Sequence, residues 1–181
     1  MKRILGLALI ATLVSGALDA GERVGDFALI DHQGAIQHMA WYDDHSAVVI
    51  MPMTKSQDDA ASFKALQETY AEQGVQFFLL NPGLHSDRAL VQSEVAALGL
   101  DLPVLMDDAQ LVTEMLGVSH LDQAVLYNPS SFELLYRGPI ADMEATLKEA
   151  LAGENFNVVS VASNGPAIEF ANLDAHANLS Y

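Results

Sequence analysis

The stretch Ala47-Val48-Val49-Ile50-Met51-Pro52-Met53-Thr54-Lys55-Ser56-Gln57-Asp58-Asp59 decides how this chain folds. Residues 47–51 are apolar without a break and rich in β-branched side chains. That is the composition of a strand covered on both faces. Ser56-Gln57-Asp58-Asp59 then reads as a capping box that opens a helix. Phe63, Leu66 and Tyr70 give that helix one apolar stripe, and Gly74 stops it. Val75 to Leu80 follow as a second buried strand, halted by the turn signal Asn81-Pro82-Gly83.

The same alternation continues on both sides of this stretch. Upstream, Phe27 to Ile30 and Ile36 to Met39 flank the turn Asp31-His32-Gln33-Gly34, which predicts a hairpin. Downstream, Ser86 is placed to cap a helix over 87–98, with Leu90, Val91, Val95 and Leu98 inward and Gly99 beyond it. Residues 102–106 are extended, and a brief helix is expected over 107–116. Residues 123–127 and 132–137 read as strands joined by Asn128-Pro129-Ser130-Ser131. A last helix spans 142–152, with Met143, Leu147 and Leu151 inward. These elements predict an α/β domain with a mixed, mainly parallel central sheet flanked by helices, and the closing hairpin as its antiparallel edge. After Gly153 the sequence changes to small residues and Asn. Residues 156–161 are expected as an edge strand. The rest is expected either as an arm on the domain or a partner, or as a frayed end.

Composition excludes several functions. The 181 residues carry 24 acids against 8 bases, a net charge of -16, with 51% hydrophobic and 18% charged residues. Binding nucleic acid needs clustered Lys and Arg, so no nucleic-acid partner is expected. The chain has no cysteine. Disulfides, thiol catalysis, thiolate metal sites and iron–sulfur clusters are therefore excluded.

Met1-Lys2-Arg3, the apolar run Ile4 to Val14 and the small residues Ser15-Gly16-Ala17 and Leu18-Asp19-Ala20 together match an export signal. The run is shorter than the ~20 residues that span a bilayer comfortably. The expected organisation is a signal peptide over 1–20, a domain over 21–153 and an extension over 154–181. The protein is then periplasmic or secreted, with no stable membrane insertion after cleavage.

The order of elements from Val24 to Ala152 resembles the thioredoxin-like superfamily. In particular it resembles the redoxin, or peroxiredoxin-like (alkyl hydroperoxide reductase–thiol-specific antioxidant), branch. The stretches that carry the resemblance are Val24-Gly25-Asp26-Phe27, Ala47-Val48-Val49-Ile50, Phe63-Lys64-Ala65-Leu66, Leu102-Pro103-Val104-Leu105, Leu116-Gly117-Val118 and Leu135-Tyr136-Arg137-Gly138-Pro139-Ile140. In that family the reactive cysteine sits in the loop after the first core strand, at a helix N-terminus that lowers its pKa. Here that loop is Met51-Pro52-Met53-Thr54-Lys55-Ser56, a degenerate version without sulfur nucleophile. Relatives also carry a proline before the third core strand, where this chain has Ser119-His120-Leu121-Asp122-Gln123. Thr54 or Ser56 would need an adjacent base to act as a nucleophile, and none is evident.

The reading that follows is a non-catalytic subunit or adaptor that docks to another exported protein. The resemblance implies redox partners, such as a c-type cytochrome or a copper- or quinone-dependent oxidoreductase. Trp41, Tyr42, His120 and Leu121, with Met53, are the candidate groove and docking residues, because aromatic and Met side chains favour interfaces. One alternative is redoxin-type oxidoreductase or antioxidant activity kept by an unconventional route. Another is a periplasmic copper carrier in which Met51, Met53 and His120 would offer soft and imidazole ligands. Met51 and Met53 lie on one strand face, but His32, His38 and His45 fit no ligand spacing. Asp43-Asp44 and Asp107-Asp108 lack the ligand-rich loop of tight calcium sites. No metal and no cofactor is expected.

Expressed with its own N-terminus in an exporting bacterium, the chain is expected to begin at Leu18 or Gly21. Intact-mass measurement that finds residues 1–17 retained removes the export reading.

Overall fold

The computed structural model describes residues 22–83, 86–153 and 158–171. The expected signal segment, His85, His176, residues 154–157 and residues 172–181 lie outside them. The strands are β1 (Ala28–Ile30), β2 (Ile36–His38), β3 (Ala47–Pro52), β4 (Val75–Asn81), β5 (Val104–Met106), β6 (Gln123–Asn128), β7 (Glu133–Pro139) and β8 (Val159–Ser160). The α-helices are α1 (Gln57–Tyr70), α2 (Arg88–Ala97), α3 (Leu111–Met115) and α4 (Glu144–Leu151). Six strands form one sheet in the order β5-β4-β3-β6-β7-β8, and β1 and β2 make a separate hairpin. The β3–β4, β4–β5 and β7–β8 pairs are parallel, whereas β3–β6 and β6–β7 are antiparallel.

Every residue of β3 is buried. Its odd positions, Ala47, Val49 and Met51, join one apolar cluster with Phe63, Leu66 and Tyr70 of α1, Val91 and Val95 of α2, and Leu147 of α4. Its even positions, Val48 and Ile50, join a second cluster with Met39, Phe78, Leu105, Leu116 and Tyr127. Alternation of side chains on a strand produces this division, so one sequence run serves two cores. The hydroxyl of Tyr127 is buried without a hydrogen-bond partner among the described residues.

The local signals act with some corrections. Ser56 caps α1, its hydroxyl accepting from Asp59 N at 3.2 Å. The return bond of a capping box does not come from Asp59. Ser56 N instead donates to Thr54 Oγ1 at 3.0 Å. Asp87, not Ser86, caps α2: its carboxylate accepts from Ala89 N at 2.8 Å, while the Ser86 hydroxyl donates back to Gly83 O. The third helix is only α3, since Asp107 is buried one turn earlier as its anchor. Its carboxylate accepts from Val112 N, Thr113 N and Thr113 Oγ1. The β6–β7 hairpin is interior rather than an edge, because β8 adds outside β7. Gly138 permits this approach: a Cβ there would stand 2.8 Å from Val161 Cβ. The hairpin of β1 and β2 is closed by Asp31, whose carboxylate accepts from Gln33 N, Ala35 N and Gln37 Nε2.

Tyr136 is fully buried on β7, and its hydroxyl donates to Pro139 O at 2.7 Å. Burial, reinforced by Asp142 and Asp122, pushes its pKa from 10.0 up to about 12. The fold holds the protonated form. Stability from this group is therefore complete below pH 10 and is lost as pH rises through about 12. Tyr136→Phe is expected to cost about 1 kcal/mol at neutral pH for the lost hydrogen bond. It should also flatten the fall of stability in that alkaline window. Urea unfolding across pH checks both; an unchanged alkaline slope contradicts the assignment.

Candidate functional site

The sheet delivers the ends of β3 and β4 to one place. Beyond β3 the chain runs through Met53, Thr54 and Lys55 into α1, and beyond β4 it turns at Pro82 and Gly83. These segments border a cavity of about 470 Å³. Carboxyl ends of strands are where open α/β sheets place ligands. Met53, Leu98, Leu121 and Ile168 give the cavity its apolar walls, and Lys55, Glu94 and Glu169 bring charge to it. Lys55 makes no ion pair among the described residues.

Hydroxyl chemistry at this loop is already committed. Thr54 is buried, accepts from Ser56 N and lies 3.4 Å from Asp59 Oδ2, to which its hydroxyl donates. Ser56 Oγ accepts from Asp59 N. Both side chains hold the helix start, and Asp59 takes a hydroxyl hydrogen there without any imidazole partner in the set. Pro52 ends β3 and is buried.

The other candidates separate. Met51 is fully buried in the α1 cluster, while Met53 packs at that cluster's border and lines the cavity. They share a face, but only Met53 is presented to the cavity; His120 is not among the residues lining it. Among the described residues no three His, Asp or Glu side chains gather in a metal-binding group. Leu121 reaches the cavity, whereas Trp41 and Tyr42 lie in a short helical turn after β2. Trp41 is 61% exposed and stands edge-on to His38, whose Nε2 lies 2.7 Å from Asp26 Oδ2. Tyr42 packs edge-on against Phe78 and His45 and donates to Gln37 Oε1. Trp41 and Tyr42 are not among the residues that line the cavity, while Tyr42 and Leu121 both pack at the border of the second core cluster. His32 is structural: it is buried, and its Nδ1 accepts from Val104 N at 3.2 Å. His45 pairs with its neighbour Asp44.

Two features escape a reading of the sequence. Gln110 is buried with φ of 58°, and its side chain makes three hydrogen bonds. Its Nε2 donates to Pro82 O at 2.8 Å and Glu169 O at 3.0 Å, and its Oε1 accepts from Ala171 N at 2.7 Å. A left-handed non-glycine residue costs about 1 kcal/mol or more and needs such fixing. The second feature is the wall made by Ala167, Ile168 and Glu169. Leu121 N donates to Pro166 O at 2.8 Å, Ile168 N donates to Ser119 O at 2.8 Å, and His120 and Ala167 form an antiparallel bridge. Gln123 shapes the receiving loop by accepting from Ser119 N and His120 N. Only the apolar Ile168 and Phe170 after Gly165-Pro166 hint at this contact in the sequence.

No protein-family model matches the sequence, and comparison with curated proteins finds no match. Solved structures do match. A hypothetical protein of Sinorhizobium meliloti 1021 superposes with a TM-score of 0.70 at 24% identity, over 84% of this chain and 94% of that one. A peroxidoxin of Mycobacterium tuberculosis gives 0.56 at 20% identity, over 73% and 93%. A thiol:disulfide interchange protein of the thioredoxin family from Chlorobium tepidum TLS gives 0.57 at 17%, over 72% and 97%. The fold is thioredoxin-like, and this chain carries it without a cysteine.

If Ser56 serves as a helix cap, Ser56→Ala should lose about 1 kcal/mol of stability and Ser56→Asn should retain most of it. Equal unfolding midpoints for all three in urea contradict that role.

Proposed function

We propose that this thioredoxin-like protein is an exported, non-catalytic subunit or adaptor that docks to another exported protein, most plainly a redox protein. The observation that carries the reading is the state of the loop between β3 and α1. It contains no sulfur nucleophile, and its two hydroxyls, Thr54 and Ser56, are spent on the helix start. A scaffold of this kind can still recognise a partner through shape and charge. Its charge of -16 suits a partner with a basic face, because complementary fields speed encounter and set orientation. A c-type cytochrome or a copper- or quinone-dependent oxidoreductase fits that description; the class rests on the company redoxin-like domains keep. No helix among the described residues is long and apolar enough to cross a membrane.

Leu121 and Met53 at the cavity and Trp41 on the far turn are the contact candidates this reading offers. The full chain, tagged and cross-linked in its native host, is expected to bring down one exported protein in stoichiometric amount. Leu121→Asp or Trp41→Asp should reduce that recovery at least about tenfold, as loss of an interface anchor does. The purified protein should consume no peroxide beyond one equivalent per accessible Met. Sustained peroxide turnover, or absence of any stoichiometric partner, overturns the proposal.

A further inference from the structure

The segment from residue 158 to 171 is built differently from the rest of the domain. Its ordered contacts are mostly backbone hydrogen bonds made at an edge. β8 pairs with β7 over two positions, Tyr136 with Val159 and Arg137 with Ser160, and Val161 N donates to Arg137 O at 2.9 Å. Ser163 Oγ bonds the Asp122 carboxylate. Pro166 to Ile168 pair with Ser119 to Leu121, and Gln110 holds the backbone at Glu169 and Ala171. Ile168 is the segment's single buried side chain; Val158, Val159 and Val161 are partly buried against the two core clusters, and Phe170 remains 38% exposed. A two-residue strand followed by a segment with one fully buried side chain marks an element that opens below the free energy of global unfolding.

Opening this segment would change the site. The donor Leu121 N and the acceptors Ser119 O and Arg137 O would all lose their partners, and the cavity would lose the wall at Ala167 to Glu169. Unpaired strand edges accept another extended chain. We propose that residues 158–171 are a releasable strap that occupies in cis a strand-accepting edge made by β7 and Ser119–Leu121. A partner that donates an extended segment to this edge must first displace the strap, and gains access to the opened cavity in doing so. This rests on the docking reading for its biological use, but not for its test.

Hydrogen exchange on the full wild-type chain is the first measurement. The amides of Leu121, Val161, Ile168 and Ala171 are expected to exchange together, at least about 100-fold faster than those of β3, β4 and β6. Exchange of the two groups at one common rate makes the segment an integral part of the sheet and overturns the proposal. The second measurement uses a fluorescein-labelled synthetic peptide of residues 158–171. Ile168→Asp unseats the strap's buried anchor and leaves the acceptor side intact. This variant should bind the wild-type peptide at least about tenfold more tightly than the wild-type chain, whose own strap keeps the edge occupied. Adding Gln110→Gly removes two bonds that the acceptor side makes to residues 169 and 171, so the double variant should bind the peptide more weakly than Ile168→Asp alone. Absence of peptide binding by Ile168→Asp removes the acceptor edge. Failure to recover a partner in the native host touches only the docking reading, because neither measurement here involves one.

Discussion

Ala47, Val49 and Met51 pack beneath α1, α2 and α4 while Val48 and Ile50, on the same six-residue strand, pack against the layer that holds Met39, Leu116 and Tyr127. Neither core exists without the other, because a shift of one residue would exchange the two sets. The strand is held in that register by a parallel neighbour on one side and an antiparallel one on the other. Each fully buried Val, Ile or Met contributes roughly 1.5–3 kcal/mol by leaving water. The position of everything else, the cavity included, is set by where this strand ends.

At that end the chain must leave the sheet and begin a helix within a few residues. Thr54 and Ser56 make the transition possible by supplying oxygen atoms to backbone N–H groups that the helix start would otherwise leave unpaired. The same demand consumes the functional groups a catalyst would need at this place. Asp58 and Asp59 in the first turn suit the helix dipole and would disfavour a second anion there. The site therefore has space and an apolar lining, while the two hydroxyls of the loop beside it already serve the fold. Recognition can use such a cavity; nucleophilic chemistry has no free group in it at Thr54 or Ser56.

The interior of the domain follows from local sequence pattern. Unbroken apolar runs at 47–51 and 75–80, the stripe of Phe63, Leu66 and Tyr70, and glycines at 74 and 99 with positive φ are signals confined to a few neighbouring residues. The loop between β3 and α1 is equally local, since it is the junction of one strand and one helix. What pattern does not encode is contact between distant segments. Gln110 sits in an ordinary polar turn, and only the fold shows its amide facing Pro82, Glu169 and Ala171. Trp41 and Leu121 were equal candidates by residue type, yet topology sends them to different places. Ser86 and Asp87 differ by one position as caps, and the fold directs the Ser86 hydroxyl to Gly83 O instead of the helix start. His32, two residues beyond β1, is tied to β5 by a hydrogen bond across 72 positions.

The two long sides of the sheet show why the C-terminal segment matters. Exposed strand edges invite pairing with other chains, so a six-stranded sheet needs both closed. On the β5 side the closure is firm. His32 N donates to Val104 O at 2.9 Å, Val104 N donates to His32 Nδ1, and Asp31 bridges Leu105, with both Asp31 and His32 buried. On the β7 side closure depends on the two residues of β8, on Val158, Val159 and Val161, which are only partly buried, and on one buried isoleucine. Hydrogen bonds near solvent can be exchanged for bonds to water at little net cost, whereas those beneath buried side chains cannot. If one edge of this sheet opens under native conditions, the asymmetry of the two closures selects the β7 edge. The segment that closes that edge goes on to pair with Ser119–Leu121 and to wall the cavity at Ala167 to Glu169, so its release would open the edge and the cavity together.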